Sequence, residues 1–318
     1  MNGTEGSGGS DPVRVLYVGG MARSGSTLLT WILGQLPQHI AVGEVFYVWS
    51  AGVADDQLCG CGRPFSECPF WQEVGQEAFG GWDAVNLVRV AELRDAVDQT
   101  SRIPVILLAR ILPRFRRRRD EYLSLMERVY GAISHVAGDV TVVDGSKRPS
   151  LAYLLRTSPN VDLRVVQIVR EPRGVVHSWS KQVPLPMGAS RRGYIPSRPT
   201  RQSTRRWVTV NAMIKALGRL DVPLKIVRYE DLVRDPKRVV EEIAGFSGLS
   251  PASDPAGFIT GSSVHVQPAH MVEGGRVRFT PSPLQMKADE AWRSDMPVGR
   301  RRMVDLVTRV ARGRYGYR

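Results

Sequence analysis

Chemistry is concentrated at a few short stretches whose residue types suit gripping or transferring an anionic group. The first is Gly20-Met21-Ala22-Arg23-Ser24-Gly25-Ser26-Thr27, which follows the apolar run Val13–Val18. Two glycines separated by four residues, then a hydroxyl pair, outline a phosphate-binding loop. In a strand–loop–helix turn the N–H groups of Gly25, Ser26 and Thr27 point at the loop centre, and the helix dipole adds positive potential. The hydroxyls of Ser24, Ser26 and Thr27 can donate, and Arg23 offers a planar fork to oxygen anions. A nucleoside triphosphatase carries a lysine where this chain has Ser26. Without that lysine the loop suits a nucleotide with one phosphate and a short transferable group on its 5′ side.

A second anchor follows the apolar run Leu163–Val169, in Arg170-Glu171-Pro172-Arg173-Gly174-Val175-Val176-His177-Ser178-Trp179. Arg170 falls at a strand's carboxyl end, where ligands of open α/β sheets bind, and Ser178 lies on the next helix. Together they can grip a separate phosphate. Alone, Arg170 would read as a surface ion-pair partner. Two phosphate sites on one sheet suit a nucleotide phosphorylated on both ribose ends. Glu44, between Ile40-Ala41-Val42-Gly43 and Val45-Phe46-Tyr47, is a carboxylate in apolar and aromatic surroundings. That setting fits a general base, but equally a capping or salt-bridged glutamate. Lys147, in Asp144-Gly145-Ser146-Lys147-Arg148-Pro149, reads by itself as a solvated loop lysine.

The elements that must position these residues are legible as alternating patterns. Arg14–Val18, 139–143, Leu163–Val169 and 224–227 read as buried strands, with Ala41–Val42 as a short extra one. Helices are expected over 27–36, 150–157, from about Pro172, and over 236–246. Segments 83–98, 115–136 and 203–220 read as surface or lid helices. Continuous apolar strands alternating with helices predict an α/β fold, a P-loop-like three-layer sandwich with a central parallel sheet flanked by helices. Residues 1–12, Gly/Ser-rich, read as a flexible tail, and 13–318 as a single domain. Within it, the Cys-rich 51–70 and the basic 183–206 are expected as insertions near the acceptor site.

Composition bounds the function. The chain has 318 residues, 42% of them hydrophobic, which excludes wholly disordered behaviour. Lys and Arg number 44 against 31 Asp and Glu, a formal charge of +13, so a polyanionic partner is expected. Three cysteines in this length do not make a disulfide scaffold. No secretory signal or membrane span is visible, so a soluble, cytoplasmic protein with no membrane partner is expected. Charge alone suggests nucleic acid, and no nucleic-acid motif supports it.

Taken in order, RSGST (Arg23–Thr27), VGE (Val42–Glu44), DGSKRP (Asp144–Pro149), IVREPRGVVHSW (Ile168–Trp179), RYEDLVRDP (Arg228–Pro236) and GGRVRF (Gly274–Phe279) resemble the sulfotransferases that use 3′-phosphoadenosine 5′-phosphosulfate. The likeness is closest to the carbohydrate and tyrosylprotein enzymes and their bacterial relatives, and runs from about Val13 to the carboxyl end. It implies that Arg23, Ser24, Gly25, Ser26 and Thr27 bind the 5′ phosphosulfate, and that Arg170 and Ser178 bind the 3′ phosphate. Arg278 would add a contact from the late glycine-rich segment, which here lacks the family's Asn and Pro. The resemblance further implies Glu44 as general base, Lys147 and Arg23 as stabilisers of the transferring group, and adenosine 3′,5′-bisphosphate as product. No metal is required, and the acceptor is a hydroxyl of a small molecule, glycan or peptide. The competing reading is a P-loop nucleotide kinase, which needs a γ-phosphate lysine and a magnesium carboxylate.

The remaining signals are weaker. Cys59, Cys61 and Cys68 invite a zinc reading, but no fourth ligand lies nearby in sequence, so the stretch is read as a structural loop with no metal. The Arg114–Arg119 run and the arginines of 191–206 read as solvated faces or as steering charge. His177 and His270 are candidates for ligand contact outside the catalytic set. Trp179 and Trp207 read as core or adenine-stacking residues.

Overall fold

The computed structural model describes residues 11–249 and 254–317; the expected tail falls almost wholly outside the described residues. Five strands, β1 (Val13–Gly19), β2 (His39–Gly43), β3 (Thr141–Lys147), β4 (Val161–Val169) and β5 (Leu224–Arg228), form one sheet in the order β2-β3-β1-β4-β5. Every pairing is parallel, with Val15 opposite both Val142 and Leu163. The apolar runs are continuous because side chains alternate between two covered faces. Val15 and Tyr17 enter one core with Val142, Val165, Leu151 and Tyr130. Leu16 and Val18 enter the other with Leu29, Ile32, Val143, Val166 and Ile243. Helices α1 (Ser26–Leu33) and α8 (Pro236–Ser247) therefore cover one side. Helices α4 (Pro113–Val136) and α5 (Pro149–Leu155) cover the opposite side. This is the three-layer α/β arrangement expected.

Several boundaries differ from the sequence expectation for physical reasons. Helix α4 is no lid: Tyr122, Met126, Tyr130 and Ile133, at helical spacing, are all fully buried. The helix expected over 83–98 is α3 (Leu87–Val97). It starts late because Asn86 caps it, its side-chain oxygen accepting from the Arg89 N–H at 3.0 Å. Strand β3 continues past Val143 to Lys147, and β2 is a full edge strand of five residues. The basic segment is a short hairpin, Val183–Pro184 with Tyr194–Ile195, that ends at Pro199. Arg201, Arg205 and Arg206 already belong to helix α7 (Thr200–Leu217). Helix α2 (Pro69–Phe79) begins inside the Cys-rich segment and α6 (Pro172–Trp179) follows β4, each with Pro in its first turn.

The carboxyl-terminal helix α9 (Val298–Gly313) leads into Tyr315 and Tyr317. The Tyr317 hydroxyl lies 3.0 Å from the Val169 carbonyl and 2.6 Å from the Glu230 carboxylate, and Gln167 of β4 donates to the Tyr315 hydroxyl at 3.3 Å. These bonds brace the tip of β4, the position that presents Arg170. Among the described residues no helix is long and apolar enough to cross a membrane.

Candidate active site

Each strand of the sheet delivers chemistry at its carboxyl end. The loop with Arg23 follows β1, Glu44 follows β2, Lys147 ends β3, Arg170 follows β4 and Tyr229 follows β5. All five line one cavity of about 550 Å³. Its position, across the centre of a parallel sheet where the strand order reverses, is where ligands of open α/β folds bind.

The first loop is shaped by close approach. Gly25 has φ 89°, and a Cβ there would stand 2.7 Å from the Tyr229 ring. Ser26 then opens α1, with Gly25 at its N-cap, so the free N–H groups of the first turn face the cavity. Arg23, Gly25, Ser26 and Thr27 line the wall. Ser24 is fully buried and does not line it. The Arg23 Nε and Nη2 donors are buried without a hydrogen-bond partner among the described residues, and burial pushes this guanidinium's pKa down. Trp179 meets two cations, with the Arg23 and Arg198 guanidinium carbons 5.2 and 4.4 Å from its ring centre. Trp207 is core, and its indole donates to the Arg170 carbonyl at 3.0 Å.

Arg170 is buried and touches the first loop: its Nη1 donates to the Arg23 carbonyl at 3.3 Å. Its Nη2 is held by the Asp289 carbonyl at 2.7 Å and the Asp289 carboxylate at 3.0 Å. Ser178 lines the same cavity. The two expected phosphate anchors are thus neighbours in space. Across from them, Glu44 and Lys147 form an ion pair, both largely buried. Asp144 sets this pair from beneath. It is fully buried, accepting from Tyr130 Oη (2.6 Å), the Ser146 hydroxyl and N–H (2.5 and 2.8 Å) and the Val45 N–H (3.2 Å). Desolvation raises its pKa to about 6 despite those bonds.

Several placements differ from the sequence expectation. Arg278 does not line the cavity; it is buried and donates to the Leu58 and Ala189 carbonyls, while Arg276, two residues earlier, is on the wall. The Cys-rich segment contributes no residue to the wall, packing instead against the late loop. The imidazole absent from its sequence neighbourhood arrives from a distance, with His270 Nδ1 3.2 Å from Cys68 Sγ. His177 faces Asp295, 3.7 Å away, and is off the cavity wall. The Arg114–Arg119 run lies on the first turns of α4 away from the cavity, whereas Arg198 and Arg206 join the wall.

Sequence reasoning passed over Glu273. It lines the cavity, and its pKa is raised to about 7, first by desolvation and then by the Glu44 charge, with Arg278 and Lys147 opposing. Its signal was one residue from a quoted motif, ahead of Gly274-Gly275. Seven described non-glycine residues have positive φ, and three of them, Arg23 (75°), Lys147 (62°) and Glu273 (55°), line this cavity. Such backbone strain persists where the surroundings impose it, commonly at functional sites. Seven basic side chains face the space against three carboxylates. With unpartnered buried donors on Arg23 and Arg198, the cavity fits a multiply anionic ligand.

Residues 15–259 match the sulfotransferase domain family. Among curated proteins the chain is similar to carbohydrate sulfotransferase 5 of Mus musculus, 27% identical over 180 residues covering 52% of this chain and 44% of that protein. It is also similar to carbohydrate sulfotransferase 1 of Homo sapiens, 35% identical over 100 residues covering 29% of this chain and 24% of that protein. The matched stretch spans less than half the length of either relative. Among solved structures it is similar to the sulfotransferase domain of the Synechococcus PCC 7002 olefin synthase. That likeness has 18% identity, 98% and 97% coverage and a TM-score of 0.48.

Proposed function

The chain belongs to the sulfotransferase domain family, and from that premise we propose that it moves a sulfuryl group from 3′-phosphoadenosine 5′-phosphosulfate to a hydroxyl acceptor. The observation that carries this reading is the convergence of five strand tips on one cationic cavity. There a lysine-free phosphate loop, a second arginine anchor and a carboxylate–ammonium pair share about 550 Å³. The first loop's N–H groups and the Arg23 fork receive the 5′ phosphosulfate. Arg170 and Ser178 receive the 3′ phosphate, the phosphate competing with Asp289 for the Arg170 fork.

The donor supplies a sulfuryl group on a good leaving phosphate. Glu44 accepts the acceptor's hydroxyl proton as the new acceptor O–S bond forms and the S–O bond to the 5′ phosphate breaks, releasing adenosine 3′,5′-bisphosphate. Lys147, held beside Glu44 in the free chain, stabilises charge on the sulfuryl and bridging oxygens, with Arg23 sharing the task. No metal step is needed in this scheme. Asp144, the carboxylate nearest a magnesium role in a kinase, has its oxygens engaged by Tyr130, Ser146 and Val45 inside the core. That engagement favours sulfuryl transfer over the P-loop kinase reading. The carbohydrate sulfotransferase relatives make a glycan or small polyol hydroxyl the first acceptor class to try.

Two measurements test the reading. Adenosine 3′,5′-bisphosphate without magnesium should raise the melting temperature, whereas protection by magnesium–ATP alone would support the kinase. Mass spectrometry of a hydroxyl library incubated with donor should show gain of one sulfuryl group, and no gain across glycans, phenols and alcohols counts against the proposal.

A further inference from the structure

The Cys-rich segment and the late loop meet outside the cavity. Cys59, Cys61, Cys68 and His270 each present one ligand atom, and the four atoms lie within 4.8 Å of one another. Sγ of Cys68 stands 3.7 Å from Sγ of both Cys59 and Cys61. His270 Nδ1 is 3.2 Å from Cys68 Sγ and 4.0 Å from Cys59 Sγ. Tetrahedral zinc with its usual bond lengths has S···S edges of about 3.8 Å and S···N edges of about 3.6 Å. The four atoms already outline such a polyhedron. They do not outline a disulfide, whose sulfurs sit about 2.05 Å apart, and all three cysteines are free thiols.

The surroundings aim these atoms. Phe70 stacks on the His270 ring at 4.8 Å and 14°, and the Trp71 indole donates to the His270 carbonyl at 3.0 Å. Between the first two cysteines, the Gly60 N–H donates to the Met271 carbonyl at 2.9 Å. A Cβ at Gly60 would stand 2.5 Å from the Ala269 carbonyl oxygen, so the two segments approach closer than any side chain allows. Gly62, at φ 88°, reverses the chain so that the Cys59 N–H reaches the Arg63 carbonyl at 2.8 Å. Cys59 and Cys68 are buried.

We propose that Cys59, Cys61, Cys68 and His270 bind one zinc ion as a structural site. Three soft sulfurs and one imidazole at these separations select zinc over hard cations, and four protein ligands leave no position for substrate. The ion clips the Cys-rich segment to residues some 200 positions later in the chain. The late loop it fixes leads directly to the cavity. Val272 pairs with β2, its N–H donating to Val42 and its carbonyl accepting from the Glu44 N–H at 2.9 Å. Glu273, Gly274 and Arg276 follow on the cavity wall. None of the four ligands lines that wall, so the ion organises the late loop and supplies no chemistry to transfer.

Metal content is read without turnover, so this inference and the transfer reading succeed or fail separately. Full-length protein grown with zinc should carry about one zinc per chain by elemental analysis, and Cys68→Ser or His270→Ala should lose nearly all of it. Chelation should lower the melting temperature, and inorganic zinc should restore it. Should the variants fail to fold, cobalt(II) replacing zinc in the unaltered chain gives the decisive readout. Intense tetrahedral ligand-field bands with a thiolate charge-transfer band are expected. Purified protein without zinc that takes up neither ion, zinc content unchanged in folded variants, or a disulfide among the three thiols would overturn the proposal.

Discussion

Glu273→Gln is the most informative perturbation because its effect follows from an ionisation the fold opposes. The carboxyl's ordinary value near 4.5 is raised to about 7 by desolvation and by the Glu44 charge. The folded chain therefore holds this proton more tightly than the unfolded chain does. Below about pH 4.5 both states are protonated and the residue costs nothing. As pH rises toward 7 the unfolded chain gives up its proton first, so stability is progressively lost, and the full loss is present above pH 7. An interval of about 2.5 pH units at ~1.36 kcal/mol each gives roughly 3 kcal/mol, trimmed to about 2–3 kcal/mol for the residual water contact of a half-buried group. Glutamine keeps the shape and removes the charge. The variant should match the parent at pH 4 and exceed it by about 2–3 kcal/mol at pH 8, or roughly 3–5 °C in Tm for a chain of this length. Asp98 and Asp144, both raised to about 6 by burial, tilt both curves alike, so the difference isolates Glu273. Urea melts at pH steps from 4 to 8 are the assay. Parallel curves, or a variant less stable at pH 8, would refute the electrostatic argument.

Other outcomes follow from the site. Glu44→Gln should lower turnover by at least about 10²-fold while leaving adenosine 3′,5′-bisphosphate affinity within about threefold, by calorimetry; retained turnover removes Glu44 from the base role. Arg170→Ala should weaken that nucleotide by about 1.5–3 kcal/mol, roughly 10–150-fold, and an unchanged Kd contradicts the 3′-phosphate assignment. Gly25→Ala places a Cβ 2.7 Å from the Tyr229 ring at φ 89°. It should cost about 1–2 kcal/mol of stability and most nucleotide binding, and a melt and titration matching the parent would show that the loop can relax.

Legibility in the sequence tracked the range of the forces involved. Apolar continuity placed β1, β3, β4 and β5 within a few residues, because strands packed between two layers are mostly apolar along their length, and even the edge strand β5 keeps Leu224, Ile226 and Val227. Glycine spacing and an arginine after an apolar run marked the two segments proposed to hold phosphate, since tight turns and strand tips depend on neighbouring residues alone. Read locally, 115–136 is a surface or lid helix, because its basic first turns hide the Tyr122–Met126–Tyr130–Ile133 stripe, and which neighbour covers a stripe is not a local property.

What the sequence by itself determined, then, is the strand–helix alternation and two anion-suited stretches at strand ends, the Gly/Ser loop with Arg23 and the segment opened by Arg170. Tertiary structure decided which groups meet. It joined Glu44 to Lys147 across 103 positions, set Glu273 beside Glu44, turned Arg276 rather than Arg278 to the cavity, and carried His270 to three cysteines some 200 residues away. The reason is physical: turn geometry and strand patterning are fixed within a few bonds. Burial, charge proximity and ligand convergence are set only when distant segments close-pack.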